Sequence, residues 1–305
     1  MNTKRILFTG ADGNIGRQAV KRLLSDSEFV IDALVMKASD MEFAIKSADI
    51  RNTERLNVIT NDEFFSDSYC LSGYDTVMHL AFSRADKSFA DIASSLDYES
   101  ALFRKLQTVN VKRIAYMSSQ GIYGKTANIR TVGMSPSPAS VYTMAKYAGE
   151  KLLESYYADK PETATAILRL DNVIQSQNLV RALCTNALKT GELHLKGGKQ
   201  CFSYIDVRDA GSAVTAVVKK PQWEQKIYNV GPDKMRFRLV QIAEIVRKIA
   251  EKYGKTVNIF LEEDDTELWA GMDTSVFLKE FNWKPQFSVE TMIEDIYLDI
   301  RSNIT

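Results

Sequence analysis

The turn that ends the first apolar run constrains this chain more than any other feature. The run RILFT, residues 5–9, gives way to GADGNIG, with Gly10, Gly13 and Gly16. The chain then resumes as IGRQAVKRLLSDS, with Val20, Leu23 and Leu24 on one face. This pattern predicts strand, tight turn and helix in immediate succession. Glycines at these places allow the turn itself, a close approach of backbone to a pyrophosphate, and close packing of helix on strand. The helix N-terminus behind them offers free N–H groups and the positive end of its dipole. A glycine triplet alone is a weak signal and equally fits a plain turn. At the first strand–helix junction of a strand–helix series it points to a dinucleotide site.

Such a series follows. FVIDALVM, LNVIT, DTVMHLAF, VKRIAYMSS and TATAILRL read as strands two to six, with helical patterns between them that include 40–55, 91–108 and 142–157. Continuously apolar strands alternating with helices predict a parallel sheet covered on both faces, an α/β doubly wound fold of the Rossmann type. Beyond Arg169 the rhythm loosens. Residues 171–204 hold a helix and the turn KGGK, VRDAGSAVTAVVKK is helical again, and KIYNVG is strand-like. The tail holds LVQIAEIVRKIAEKYG, an acidic loop LEEDDTE and a last helix near 288–301. We expect a dinucleotide-binding domain over 1–170, with 205–231 returning to it, and a smaller C-terminal α/β lobe over 171–204 and 232–305 that binds substrate.

Bulk properties narrow the function. The formal net charge is zero and no long basic run occurs, so neither nucleic acid nor an anionic membrane surface is an expected partner. No stretch approaches a membrane span, and the apolar run at the start is too short for a leader peptide. The three cysteines, Cys70, Cys184 and Cys201, lie far apart and fit a reducing, cytoplasmic setting without a metal framework. The expected partner is a small-molecule substrate.

The spacing Gly-x-x-Gly-x-x-Gly, preceded by Thr9, resembles the short-chain dehydrogenase/reductase family, in particular its extended branch of epimerases, dehydratases and reductases. Other stretches carry the same resemblance in order: GYDTVMHLAF, MSSQGIYG, SPSPASVYTMAKYAGEKLL, ILRLDNV, FSYIDVRDAG, IYNVG and FNWKPQFSVETMI. It implies dinucleotide contacts from Gly10, Gly13, Asn14, Ile15 and Gly16, from Leu80, Ala81 and Phe82 after the fourth strand, and from Asn61 and Asp62 near the adenine. It also implies a homodimer built by pairing the helices at 91–108 and 142–157. His79, on the fourth strand, matches a family histidine without acid/base duty and reads as a satisfied core residue.

Tyr-x-x-x-Lys occurs three times within 140–160: Tyr142 with Lys146, Tyr147 with Lys151, and Tyr156 with Lys160. With 13 tyrosines in the chain, about one such pair arises by chance. The family pattern continues with Gly-Glu at a fixed offset, and only YTMAKYAGE fits. Ser119 stands where the family places its catalytic serine or threonine, and residues five apart on a helix cannot share a face. Tyr142, Lys146 and Ser119 are therefore the expected catalytic residues. Lys146 would lower the phenol pKa from its usual value of about 10, and as the family implies, it would also bind the nicotinamide ribose. Tyr142 would exchange a proton with the substrate oxygen, and Ser119 would hold that oxygen.

Met36 occupies the end of strand two, where an NAD enzyme carries an acid, and Lys37 and Arg17 lie close by. This leans the cofactor toward NADP over NAD. Gln120 and Gly121 replace the acid pair of the dehydratase branch, which disfavours dehydration. Gln120 and Asn172 are the expected substrate contacts, the latter matching a substrate-binding asparagine of the family. The arginines that clamp a nucleotide diphosphate are missing from KQCFS and from LEEDDTE, and Glu262 to Asp265 would repel a diphosphate. The leading expectation is an NAD(P)-dependent oxidoreductase acting at a carbonyl/hydroxyl of a sugar-like metabolite. A sugar epimerase and a non-enzymatic dinucleotide sensor are the alternatives.

Overall fold

The computed structural model describes residues 3–264 and 270–304. Seven strands form one parallel sheet: β1 (Lys4–Thr9), β2 (Phe29–Val35), β3 (Leu56–Thr60), β4 (Thr76–His79), β5 (Arg113–Ser119), β6 (Ala164–Leu170) and, late in the chain, β9 (Ile227–Val230). Their order is β3-β2-β1-β4-β5-β6-β9. The chain winds outward from β1 to β3, returns to β4 beside β1, and winds outward again. The switch point lies between the carboxyl ends of β1 and β4, where such sheets hold ligands.

Helices cover both faces because the central strands β1, β4 and β5 are buried on both sides. Ile6 and Phe8 of β1 join a core with α1 (Asn14–Leu24), α2 (Ala38–Ala48) and α7 (Val207–Lys219), while Leu7 points to the opposite core. That second core is built with α3 (Asn61–Phe65), α4 (Phe89–Leu106) and α5 (Val141–Tyr156). A third core belongs to α6 (Asn178–Lys189), α8 (Leu239–Lys252) and α10 (Val289–Ile304). Two small ribbons lie with it: β7 (Glu192–Lys196) pairs in parallel with β11 (Asn258–Glu262), and β8 (Cys201–Phe202) pairs antiparallel with β10 (Phe237–Arg238). The short α9 (Ser275–Glu280) differs from the expected lobe boundary. Its Phe277, with Phe281 and Trp283, packs into the core under β1 and α7 instead of into the third core.

Three local expectations are corrected. The fourth strand stops at His79: the Leu80 N–H still reaches the Thr9 carbonyl as well as its Oγ1, both at 3.2 Å, and the Ala81 N–H then turns to Thr9 Oγ1 at 3.2 Å, so the backbone bends away from β1. Residues 40–55 are a helix only to Ala48, followed by a 3-10 turn at Thr53–Arg55. Leu261 and Glu262, expected in the acidic loop, belong to β11, whose backbone pairs with β7. Asp265 and the residues to 269 lie outside the described residues.

Candidate active site

Gly10 carries φ +67, and a Cβ there would stand 2.9 Å from the Ala81 amide nitrogen, so the turn after β1 and the exit of β4 touch backbone to backbone. At Gly16 a Cβ would overlap the Gly10 carbonyl oxygen, which fixes how closely α1 packs on the turn. Gly13 caps α1 with no side-chain hydrogen bond, and Gly13 and Asn14 are exposed. The first-turn N–H groups of α1 are thus open to an anion, with Ile15 half-buried behind them. Across the sheet edge, Asn61 begins α3, and its buried Oδ1 has no hydrogen-bond partner among the described residues. A glycine turn at a switch point, an open helix N-terminus and an unsatisfied amide oxygen together fit a dinucleotide. Asp62 is exposed on the same short helix.

Strand two ends as expected. Met36 is 75% exposed, and Lys37 is exposed at the start of α2. Asp32, earlier in the strand, is engaged elsewhere: it accepts from Arg5 Nε at 2.9 Å, Asn57 Nδ2 at 2.8 Å and Tyr74 Oη at 3.0 Å. Arg17 donates to Ser47 Oγ at 3.3 Å.

Ser140 caps α5 in a reciprocal pair with Thr143, which starts that helix beside the carboxyl end of β5. In the first turn, Tyr142 lies edge-to-face with Phe82, ring centroids 5.9 Å apart. Lys146 is 4% exposed; its Nζ donates to the Met117 carbonyl at 2.8 Å and sits 3.9 Å over the Phe82 ring. Phe82 therefore joins Tyr142 and Lys146. Ser119 Oγ accepts the Gly121 N–H at 3.1 Å, which leaves its own proton without an acceptor among the described residues. The electrostatics differ from the sequence expectation. Burial, then the charge of Glu99, pushes the Tyr142 phenol up to about 12. Burial brings the Lys146 amine down to about 8, against the pull of Glu99 and Glu150. In the protein by itself the phenol is held up by desolvation and by the carboxylate of Glu99.

The other two pairs pack elsewhere. Tyr147 lies with Ile122, Tyr123 and Met272, and its partner Lys151 binds Glu154 at 2.7 Å. Tyr156 shares a 2.8 Å hydrogen bond with Ser100. The glycine and glutamate after the first pair gain a physical reason. Any side chain at Gly149 would land on the Tyr116 hydroxyl and Glu99 Oε2. Glu150 is a buried partner of Arg169, through two hydrogen bonds of 3.1 and 2.8 Å, and also accepts from Ser118.

Gln120 and Asn172 meet at Asp171, a residue that sequence reasoning passed over. Its carboxylate accepts from Gln120 Nε2, from Ser203 Oγ and from the Asn172 N–H, the last at 2.8 Å, and Arg130 Nη1 holds Gln120 Oε1 at 2.9 Å. Asn172 Nδ2 donates to the Ser203 carbonyl at 3.2 Å. The signal was the charge inside the apolar run ILRLDNV.

Residues 6–231 match the model of the NAD dependent epimerase/dehydratase family. The chain belongs to that family. Membership makes it an enzyme of an NAD-dependent kind and gives no support to the lean toward NADP. A protein of Bacillus subtilis described as an uncharacterized UDP-glucose epimerase is 23% identical across 81% of this chain and 82% of its own length. Among solved structures, the UDP-glucuronic acid 4-epimerase of Bacillus cereus, in complex with UDP-glucuronic acid and NAD, superposes with a TM-score of 0.77 at 20% identity, covering 98% of this chain and 99% of its own. The UDP-Glc/GlcNAc 4-epimerase of Campylobacter jejuni gives 0.80 at 18% identity, with the same coverage of each chain. No helix among the described residues is long and apolar enough to cross a membrane.

Proposed function

We propose that this chain is an NAD-dependent epimerase that inverts a hydroxyl-bearing carbon of a sugar, with Tyr142 as its acid/base. The observation that supports the reading is that Tyr142 and Lys146 both pack on Phe82, with Lys146 Nζ bonded to the Met117 carbonyl two residues before Ser119 on β5. The names of the relatives, epimerases of UDP-sugars, favour inversion over net oxidation. Gly10, Gly13, Asn14, Ile15, Gly16, Asn61, Asp62 and the Leu80–Phe82 bend would hold NAD, with Lys37 serving its adenosine ribose and Lys146 its nicotinamide ribose, and the dinucleotide would accept and return hydride. The residues of the chain handle the proton. Tyr142 Oη takes it from the sugar hydroxyl and later gives it back, and Ser119 Oγ–H holds the same oxygen in place. The phenolate form of Tyr142 would be favoured by a cationic nicotinamide beside it, against the burial that pushes the phenol up to about 12. Asn172 is the substrate contact on the lobe side, whereas Gln120, expected as a second contact, is buried with both amide atoms bonded and instead holds Asp171 in place; the described residues of 171–204 and 232–305, apart from α9, form the lobe that selects substrate.

A net oxidoreductase is the second reading. It is favoured by the absence of the diphosphate-clamping arginines from KQCFS, where Phe202 stacks on Tyr204 instead. One experiment separates the two: the purified protein is denatured, its released dinucleotide identified by mass spectrometry, and sugar conversion followed with no dinucleotide added. Retained NAD and redox-neutral conversion are expected. Tyr142→Phe should lower turnover by about two to four orders of magnitude with melting unchanged. Turnover at the wild-type rate in that variant refutes the assignment.

A further inference from the structure

Behind the Tyr142–Lys146 pair lies a carboxylate that the proposed reaction does not use. Glu99, near the middle of α4, has no exposed surface. Its Oε1 stands 3.3 Å from His79 Nε2, and its Oε2 faces a phenol. The Tyr116 hydroxyl stands beside Oε2, at the point a Gly149 side chain would fill, and donates at 3.4 Å to the Lys146 carbonyl.

Thr9 Oγ1 already accepts from Leu80 and Ala81, so its proton goes to His79 Nδ1, 2.6 Å away. His79 Nε2 then carries the ring proton and donates to Glu99. The imidazole is neutral, since burial holds its pKa below the ordinary value. A neutral histidine satisfies one oxygen of Glu99 but not its charge. The groups around Glu99 are His79 on β4, Tyr116 on β5, Tyr98 on its own helix, and Tyr142, Lys146 and Glu150 on α5. Glu150 is neutralised by Arg169, and Asp12 of the glycine turn faces Tyr98. Among these groups only Lys146, whose Nζ lies 4.8 Å over the Tyr116 ring, can offer Glu99 a positive charge not already spent on another carboxylate. A buried charge needs an opposite one.

We propose that Glu99 is a positioning residue, the fixed counter-charge that keeps the buried Lys146 amine protonated beside Tyr142. Through His79 and Thr9 it is also tied by hydrogen bonds to the strand that carries the glycine turn. The catalytic meaning rests on the reading of Tyr142 and Lys146 given above, but the charge coupling does not.

The test is therefore run on both. Full-length protein is labelled with 13Cε-lysine and titrated by NMR, the Lys146 signal being the one lost in Lys146→Met. In Glu99→Gln, which keeps the shape and removes the charge, the Lys146 midpoint should fall by about one pH unit. Glu99→Thr should give the same shift and serves if the glutamine variant does not fold. An unmoved midpoint overturns the proposal. The pH dependence of turnover should move with the midpoint. If the lysine signal shifts and the turnover profile does not, the coupling stands and the assignment of Lys146 to the reaction fails.

Discussion

Asp171 shows how a single residue can cost stability where it serves a site. Burial pushes its carboxyl up to about 6, although Ser203, the Asn172 N–H, Arg130 and Gln120 all act to lower it. A carboxyl raised in the folded state binds its proton more tightly there than in the unfolded chain. Its contribution is therefore best in acid, declines as pH rises from the unfolded value near 3.8 through 6, and stays low above that. Asp171→Asn keeps the shape and discards the charge. We expect it to be more stable than the parent at pH 7.5, by up to about 3 kcal/mol, with the gain shrinking as the melts are repeated toward pH 4. A constant difference across that range would assign the effect to packing instead. Ser119 shows the opposite economy: one lone pair caps the 3-10 turn at Gly121, and the proton stays available for substrate.

Helices α4 and α5 run against each other at Gly149, and the seam is closed by the Tyr116 hydroxyl and the Glu99 carboxylate. Gly149→Ala would force both groups aside. Overpacking of this kind costs about 1–3 kcal/mol, so a fall in melting temperature is expected, together with a displaced Lys146 titration because Glu99 must move. A thermal melt and the same lysine titration check the two parts separately. The helix itself tolerates alanine well, so a neutral outcome would mean that the seam is looser than the atoms suggest.

At the scale of the whole molecule, the outer ends of α4 and α5 present Phe89, Val141 and Met144 to solvent, exposed by 73, 42 and 53%. We propose that a second copy covers them in a homodimer. Light scattering should give twice 34.4 kDa, and Met144→Lys with Val141→Glu should return the monomer mass; a monomeric parent would count against the interface. Much of this molecule was legible along the chain. Strand and helix periods and the glycine turn are local patterns, because each is set by neighbours within a turn or two, whereas the choice of Tyr142 with Lys146 and Ser119 stands on the family pattern that joins two separate stretches. The sequence could not reveal what lies behind them. Glu99 and His79 are 20 residues apart, Gln120 and Asp171 51 apart, and only the winding of β4, β5 and β6 side by side brings them together. The sign of the electrostatics followed the same rule: a lysine one turn from a tyrosine suggests a lowered phenol, yet burial and a carboxylate from another helix raise it. Spacing determines which groups can meet, while the dielectric and the distant charges that decide their protonation exist only once the chain has closed around them.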